Sequence, residues 1–135
     1  LLVRIELPPP LPGEFVRAYK VSKRLEDDIS AVCLALRLRL ESDARVAEIA
    51  IGAGGVAATP MRARQTEQAL TGRPWGLESL RDAREALRGE FRPISDMRAS
   101  SGYRSQVLGN LLERFWHEQQ GGTLVSLSDL TEAPR

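Results

Sequence analysis

The fold is decided by residues 15–32, which read FVRAYKVSKRLEDDISAV. Residues 15–21 alternate between two faces, which is the period of a strand with one buried side. Residues 22–28 break the pattern with six polar or charged residues in seven, and such a segment is too polar to be buried without partners. The stretch therefore predicts two strands joined by a charged bend that lies at the surface or lines a site.

A hairpin follows directly. Leucines occupy every second position from 34 to 40, so residues 31–41 predict a strand with one apolar face. Residues 41–45 supply a polar turn, and residues 46–52 return as a second strand. Residues 1–7 also alternate, and we expect a strand there. Because the sequence opens within that alternation, we expect a piece of a longer polypeptide.

The second half of the sequence predicts three helices. The first covers residues 61–71, with Thr59 as its N-cap and Pro60 at its first position. The second covers residues 77–88 and carries an apolar stripe. The third covers residues 102–117. Its inward face is expected to consist of Tyr103, Val107, Leu111, Leu112, Phe115 and Trp116.

Strands first and helices last indicate an α+β domain, in which a small antiparallel sheet of three to four strands packs against a three-helix layer. We expect the domain to occupy residues 1–118. Beyond it the pattern decays through two glycines, and residues 119–135 are predicted to be a flexible tail.

Composition excludes several classes of function. The 19 basic and 18 acidic residues give a net charge of +1 and are spread along the chain, whereas nucleic acid requires a clustered basic surface. No apolar run approaches the length of a bilayer span, and we expect a soluble, cytoplasmic protein. The single cysteine, Cys33, is expected to be a buried apolar residue. The single histidine, His117, is expected at a helix end, so catalysis or metal binding by this chain alone is not predicted.

Residues 52–55 contain three glycines in four positions. Such a segment permits positive φ and close approach of backbones, and its N–H groups can face a cofactor or an anion. The spacing matches neither GxGxxG nor a Walker loop, so a structural bend at the end of a strand is the alternative. Likewise, the residues alone favour Lys20 as a solvated strand lysine, and Asp27 and Asp28 as capping or ion-pairing groups of the bend.

Three segments in this order resemble one protein family: AYKVSKRLEDDISAV at residues 18–32, GAGGVAATPMRA at residues 52–63 and FRPISDMRASSGYR at residues 91–104. They are similar to the C-terminal subdomain of the FAD-binding part of molybdenum hydroxylases. That family includes xanthine dehydrogenase and the flavoprotein subunit of aerobic carbon monoxide dehydrogenase. The resemblance covers residues 14–118.

The resemblance implies an electron-transfer role. Members of the family oxidise a substrate at a molybdenum cofactor, pass electrons through [2Fe-2S] clusters to FAD and, in dehydrogenases, reduce NAD. The expected partners are the N-terminal flavin-binding subdomains and the iron-sulfur and molybdenum-binding subunits or domains. Since those subdomains make most of the contacts to the FAD, we expect residues 1–135 alone to bind it weakly or not at all.

The resemblance also implies site residues. Ile29, following Asp27 and Asp28, packs near the flavin ring, while Tyr19 and Lys20 approach the flavin or the nicotinamide. The glycine segment, with Val56 and Ala57, affects access of NAD. The cofactor-binding residues implied are therefore Tyr19, Lys20, Asp28, Ile29, Gly54 and Gly55, with no catalytic residue. The alternative is a non-catalytic interaction domain that docks onto the other subunits.

Overall fold

The computed structural model describes residues 1–6, 8–24 and 28–122. The strands are β1 (Glu14–Val21), β2 (Val32–Leu40), β3 (Val46–Gly54) and β4 (Met61–Arg62), and the helices are α1 (Arg64–Leu70), α2 (Leu77–Glu90) and α3 (Ser101–Gln119). The strands form one antiparallel sheet in the order β1-β2-β3-β4. The predicted α+β arrangement, a small antiparallel sheet with three helices, is confirmed.

The hairpin of β2 and β3 supplies the sheet side of the core. Leu34, Leu36 and Leu38 are at most 2% exposed, because alternation turns all three toward the helices. The helix side of the core is formed by Leu70, Leu80, Ala83, Leu87, Leu108, Leu111, Leu112 and Phe115. Helix α2 packs between α1 and α3, which both contact the sheet. The helices therefore cover one face of the sheet and leave the other open.

The open face of the sheet is uneven in character. At one end Lys20, Cys33 and Gly54 lie opposite one another on neighbouring strands. The next cross-strand row on this face consists of the small residues Ala18, Ala35 and Gly52. At the other end Arg37 forms ion pairs with Glu14 and Glu48. Cys33 is partly exposed, so the prediction of a buried cysteine was wrong: the side chains of alternate strand residues point to opposite faces, and only its neighbours at positions 32 and 34 reach the core.

The predicted start of the first helix was also wrong. Residues 61–62 pair with β3 as a short fourth strand, and α1 begins only at Arg64. Neither Thr59 nor Pro60 caps it. Instead the carboxylate of Glu90, at the end of α2, accepts the N–H groups of Gln65 (2.9 Å) and Thr66 (3.0 Å). A tertiary contact therefore supplies the cap that the local sequence predicted at Thr59.

Glu67 fastens α1 to the edge of the sheet. Its carboxylate accepts the Ile51 N–H at 2.7 Å and two hydrogen bonds from the Arg62 guanidinium, at 2.7 and 2.8 Å. Burial acts to raise the pKa of Glu67, but Arg62 and the Ile51 N–H outweigh it, and the pKa is lowered overall. The charged carboxylate thereby holds the short strand β4 beside β3.

Helix α3 begins at Ser101, one residue before its predicted start. Ser100 is the N-cap, and its hydroxyl accepts the Tyr103 N–H at 3.2 Å. Tyr103 itself is 48% exposed, so its predicted inward position was wrong. The buried stripe instead runs through Arg104, Leu108, Leu111, Leu112 and Phe115.

Residues 1–6 are described but form no helix or strand, and their apolar side chains are exposed. An alternating sequence becomes a strand only where a neighbour takes up its backbone hydrogen bonds; the four strands of the sheet do not include this segment, so the strand predicted there was wrong. Most of the tail predicted at residues 119–135 lies outside the described residues, as does Asp27. In the described ranges no helix is long and apolar enough to cross a membrane.

Candidate functional site

Three segments meet at one end of the sheet. The first is the bend between β1 and β2, residues 22–31, of which 22–24 and 28–31 are described. The second is the glycine loop that runs from the last residue of β3 to β4, residues 54–60, and the third is the connector between α2 and α3, residues 91–100. Antiparallel pairing brings the end of β1, the start of β2 and the end of β3 side by side. The three segments of the family resemblance are therefore neighbours in space.

One buried side chain joins these segments. The Arg104 side chain is 4% exposed, and its Nη1 donates to the carbonyl oxygens of Ala31, at 2.5 Å, and Gly55, at 2.9 Å. Its Nη2 donates to Asp96 Oδ1 at 2.7 Å. A single guanidinium thus contacts the bend, the glycine loop and the connector.

Asp96 organises the connector. Its Oδ1 accepts the backbone N–H groups of Arg98 (2.8 Å) and Ala99 (3.1 Å) in addition to Arg104. These donors, led by the Arg98 N–H, lower the pKa of Asp96 to about 2. The carboxylate is therefore charged at neutral pH and closes the connector into a turn around the guanidinium.

Gly55 lets the glycine loop approach the bend. Its φ is +77°, and a Cβ at this position would lie 2.3 Å from the Ala31 carbonyl oxygen and 3.1 Å from Arg104 Nη1. Gly54 is different, because a Cβ there would meet only the Cβ of Cys33 at an ordinary 3.5 Å. Position 55 therefore requires glycine for both its conformation and its contacts.

The bend is held by short-range and long-range contacts. Asp28 Oδ2 accepts the Arg24 N–H at 3.2 Å, and the Ser22 hydroxyl donates to the Arg24 carbonyl oxygen at 2.7 Å. Lys23 Nζ donates to the Met97 carbonyl oxygen at 2.7 Å. The bend is therefore docked on the connector, with Asp28 in the capping role that the residues alone favoured.

Two concave regions border both the bend and the glycine loop. A cavity of about 700 Å³ is lined by Ile29, Ser30, Gly55, Ala57, Ala58, Arg92, Ile94, Asp96, Arg98 and Arg104. A groove of about 590 Å³ on the open sheet face is lined by Ser30, Cys33, Ala35, Gly52, Ala53, Gly54, Gly55, Pro60, Met61 and Arg62. Because Ser30 and Gly55 border both, we treat them together and call them the sheet-end surface.

The structure brings most of the predicted site residues to this end of the domain. Ile29 is 64% exposed and lines the cavity, and Gly54 and Gly55 line the groove. Asp28 closes the bend behind Ile29. Lys20 is exposed on the open face, in the same cross-strand row as Gly54.

Tyr19 lies apart from the others. It faces the helices, is 8% exposed, and its hydroxyl donates to Glu118 Oε2 at 3.1 Å. Burial, followed by the hydrogen bond to Glu118 and its negative charge, raises the pKa of the Tyr19 phenol above its ordinary range. The phenol therefore stays neutral and fastens β1 to α3.

Sequence reasoning missed Arg104 and Asp96. A signal for Arg104 was present, because it occupies a position on the apolar stripe of α3, four residues before Leu108. A cation on such a stripe is buried only when acceptors surround it. Asp96 offered no comparable periodic signal, since it lies in a connector.

The residues at the sheet-end surface fit one side of a planar, partly apolar ring. The groove is lined by residues with small or no side chains, Gly52, Gly54 and Ala35, so a ring can approach the sheet backbone there. Ile29 offers an exposed apolar side chain beside it. Lys20 adds a cation at the same end. Among the described residues no group of three or more His, Cys, Asp or Glu side chains is placed to hold a metal ion.

Comparison with known proteins gives consistent matches. A family model described as the CO dehydrogenase flavoprotein C-terminal domain matches residues 17–119. A nicotinate hydroxylase of Emericella nidulans is 37% identical over an alignment of 123 residues, and the match covers 87% of this chain and 9% of that protein. Xanthine dehydrogenase/oxidase of Gallus gallus is 36% identical over 92 residues, 67% of this chain and 7% of that protein.

The fold also matches a solved structure. Carbon monoxide dehydrogenase from Hydrogenophaga pseudoflava, in a form that lacks the Mo-pyranopterin moiety of its cofactor, superposes with a TM-score of 0.73 at 25% identity. The match covers 80% of this chain and 37% of that one. The chain spans less than a tenth of the length of the nicotinate hydroxylase and of the xanthine dehydrogenase/oxidase.

Proposed function

Because the chain belongs to the CO dehydrogenase flavoprotein C-terminal domain family, as its three segments predict, we propose that it is the C-terminal part of the FAD-binding domain of a xanthine dehydrogenase-like oxidoreductase. In this proposal the sheet-end surface is one wall of the flavin site. The flavin, which other subdomains would hold with most of the contacts, would transfer electrons from iron-sulfur clusters to NAD.

One observation carries the proposal. The three segments that resemble the family converge on Arg104, at the end of the sheet where a cavity and a groove are open. Elsewhere the helices cover the sheet or charged pairs occupy its face. The sheet-end surface is therefore a shaped and supported region with space beside it, as a wall around a bound ring requires.

Each proposed site residue has a physical role. Lys20 places a positive charge where it stabilises the negative charge of a reduced flavin. Ile29 excludes water from one side of the ring. Gly54 has no side chain and so leaves room for the ring on the sheet face. Gly55 and Asp28 fix the shapes of the glycine loop and the bend.

Tyr19 has a supporting role in this account. Its hydrogen bond to Glu118 holds β1 from the helix side, so that the neighbouring Lys20 faces the opposite way. We assign it no direct contact with the flavin.

The proposal is tested by Lys20→Ala in the full-length, flavin-loaded protein. Loss of the cation should make the flavin midpoint potential more negative, by about 30 mV if the charge contributes about 1.4 kcal/mol to two-electron reduction. Reduction of NAD should change as well. Arg81→Ala, which removes an exposed cation from α2, is the matched control and should leave the potential unaltered. Equal potentials in wild type and Lys20→Ala would remove Lys20 from the site.

A second candidate function is docking onto the other subunits. It is favoured by exposed apolar side chains beside the bend, of which Met97 is 84% and Ile94 72% exposed. Met97→Ser and Ile94→Ser distinguish the two functions in the assembled protein. Intact flavin content with failed subunit association indicates docking, whereas loss of flavin properties in an intact assembly indicates the flavin wall.

A further inference from the structure

We propose that Arg104 is a positioning residue, which sets the bend and the glycine loop relative to each other and so fixes the shape of the flavin wall. The inference rests on the proposed function of the sheet-end surface. It adds a residue that does not itself need to touch the flavin, because its hydrogen bonds end on backbone carbonyls and on Asp96.

The first step is the sharing of one donor nitrogen. Arg104 Nη1 donates to the carbonyl oxygens of both Ala31 and Gly55. Ala31 is two residues after Ile29, and Gly55 directly follows Gly54. A displacement of either backbone segment therefore alters the hydrogen bonding of the other, and we expect the bend and the glycine loop to move as one unit.

The second step is the close contact between those two segments. Gly55 approaches the Ala31 carbonyl oxygen so closely that a Cβ would lie 2.3 Å from it. Two carbonyl groups brought together in a buried region repel each other unless a donor lies between them. The Arg104 guanidinium is that donor, and its charge is balanced by Asp96.

The third step is that the guanidinium is held in place by α3 and by Asp96. Arg104 projects from the first turns of α3, whose later turns are anchored in the core by Leu108, Leu112 and Phe115, all 0% exposed. Asp96 is in turn fixed by the N–H groups of Arg98 and Ala99. The helix layer therefore fixes the position of the guanidinium, and with it the positions of the bend and the glycine loop.

The experiment compares two variants of the full-length, flavin-loaded protein. Arg104→Met keeps an unbranched side chain but removes every donor. Leu108→Ala, one turn further along the same buried stripe, lowers stability through a cavity and is the control for destabilisation alone. Hydrogen exchange of residues 28–31 and 53–58 reports positioning without reference to activity, and the flavin midpoint potential reports the consequence for the ring.

We expect Arg104→Met to accelerate exchange in both segments together, by about tenfold or more over their exchange in Leu108→Ala, and to shift the flavin potential. Unchanged exchange, or acceleration in only one segment, overturns the inference. An unchanged potential also overturns it, even where Lys20→Ala shifts the potential and the proposed function stands. If Arg104→Met does not fold, Arg104→Lys, which retains a cation beside Asp96, is subjected to the same two measurements and the same criteria.

Discussion

Asp96 Oδ1 and Arg104 Nη2 lie 2.7 Å apart, and the same oxygen accepts two backbone N–H groups of its own connector. The pair therefore links a turn closed by Asp96 to a buried cation that also binds the bend and the glycine loop. It is the point at which the loops of the sheet end become attached to the helix layer.

The first prediction concerns acid stability. The folded-state pKa of Asp96, about 2, lies below the ordinary value of about 3.9. Its contribution to stability is therefore present above about pH 4 and is lost as the pH falls toward 2. We expect Asp96→Asn to weaken this dependence, so that urea unfolding from pH 4 to pH 2 shows a smaller loss of stability than in wild type. Identical slopes in the two proteins would contradict the assignment.

The second prediction concerns Gly55. Gly55→Ala should lower the free energy of unfolding by at least about 1–2 kcal/mol, because the left-handed conformation is unfavourable for alanine and the new Cβ would overlap the Ala31 carbonyl oxygen. Gly89→Ala is the control, since nothing lies within 4 Å of a Cβ at that exposed helical position. There we expect a gain of about 0.5–1 kcal/mol. Denaturant titration measures both, and similar effects in the two variants would refute the close approach.

The third prediction concerns the start of α1. Glu90→Ala removes the acceptor for the Gln65 and Thr66 N–H groups and should lower stability by about 0.5–2 kcal/mol, as the loss of an N-cap does. Thr59→Ala should have almost no effect, because Thr59 does not cap the helix. Thermal unfolding of the two variants decides between the tertiary cap and the local one. A larger loss in Thr59→Ala would favour the local cap.

The fourth prediction separates Tyr19 from Lys20. Tyr19→Phe removes the hydrogen bond to Glu118 and should lower the free energy of unfolding by about 1 kcal/mol. In the full-length protein it should leave the flavin midpoint potential unchanged, because the phenol lies on the helix side of the sheet. A shift in potential as large as that of Lys20→Ala would give Tyr19 a direct role at the flavin.

The sequence predicted the parts of the fold that depend on periodic burial. Leucines at positions 34, 36 and 38 required an apolar strand face, and the hairpin and the helix layer followed from it. The predictions failed where the structure of a segment depends on residues elsewhere in the chain. Residues 1–6 alternate without a neighbouring strand, and the cap of α1 comes from Glu90, at a distance in sequence that no local pattern encodes.

The candidate site shows the same division. The three resemblance segments predicted which parts of the chain form the candidate site, but not that one arginine joins them. Periodicity alone predicts apolar residues along the whole buried stripe of α3, and for that reason it favours Tyr103 over Arg104 as the inward residue. The arrangement of carbonyl groups that makes a buried guanidinium favourable exists only after the bend and the glycine loop have met.

The most direct measurement is an experimental structure of the full-length protein with its flavin bound. The account predicts that the Ile29 side chain lies within about 4 Å of the isoalloxazine ring, the distance of van der Waals contact, with Lys20 on the same side and Arg104 still donating to the carbonyl oxygens of Ala31 and Gly55. A flavin bound away from the sheet-end surface, with the bend turned toward solvent or another partner, would contradict the account.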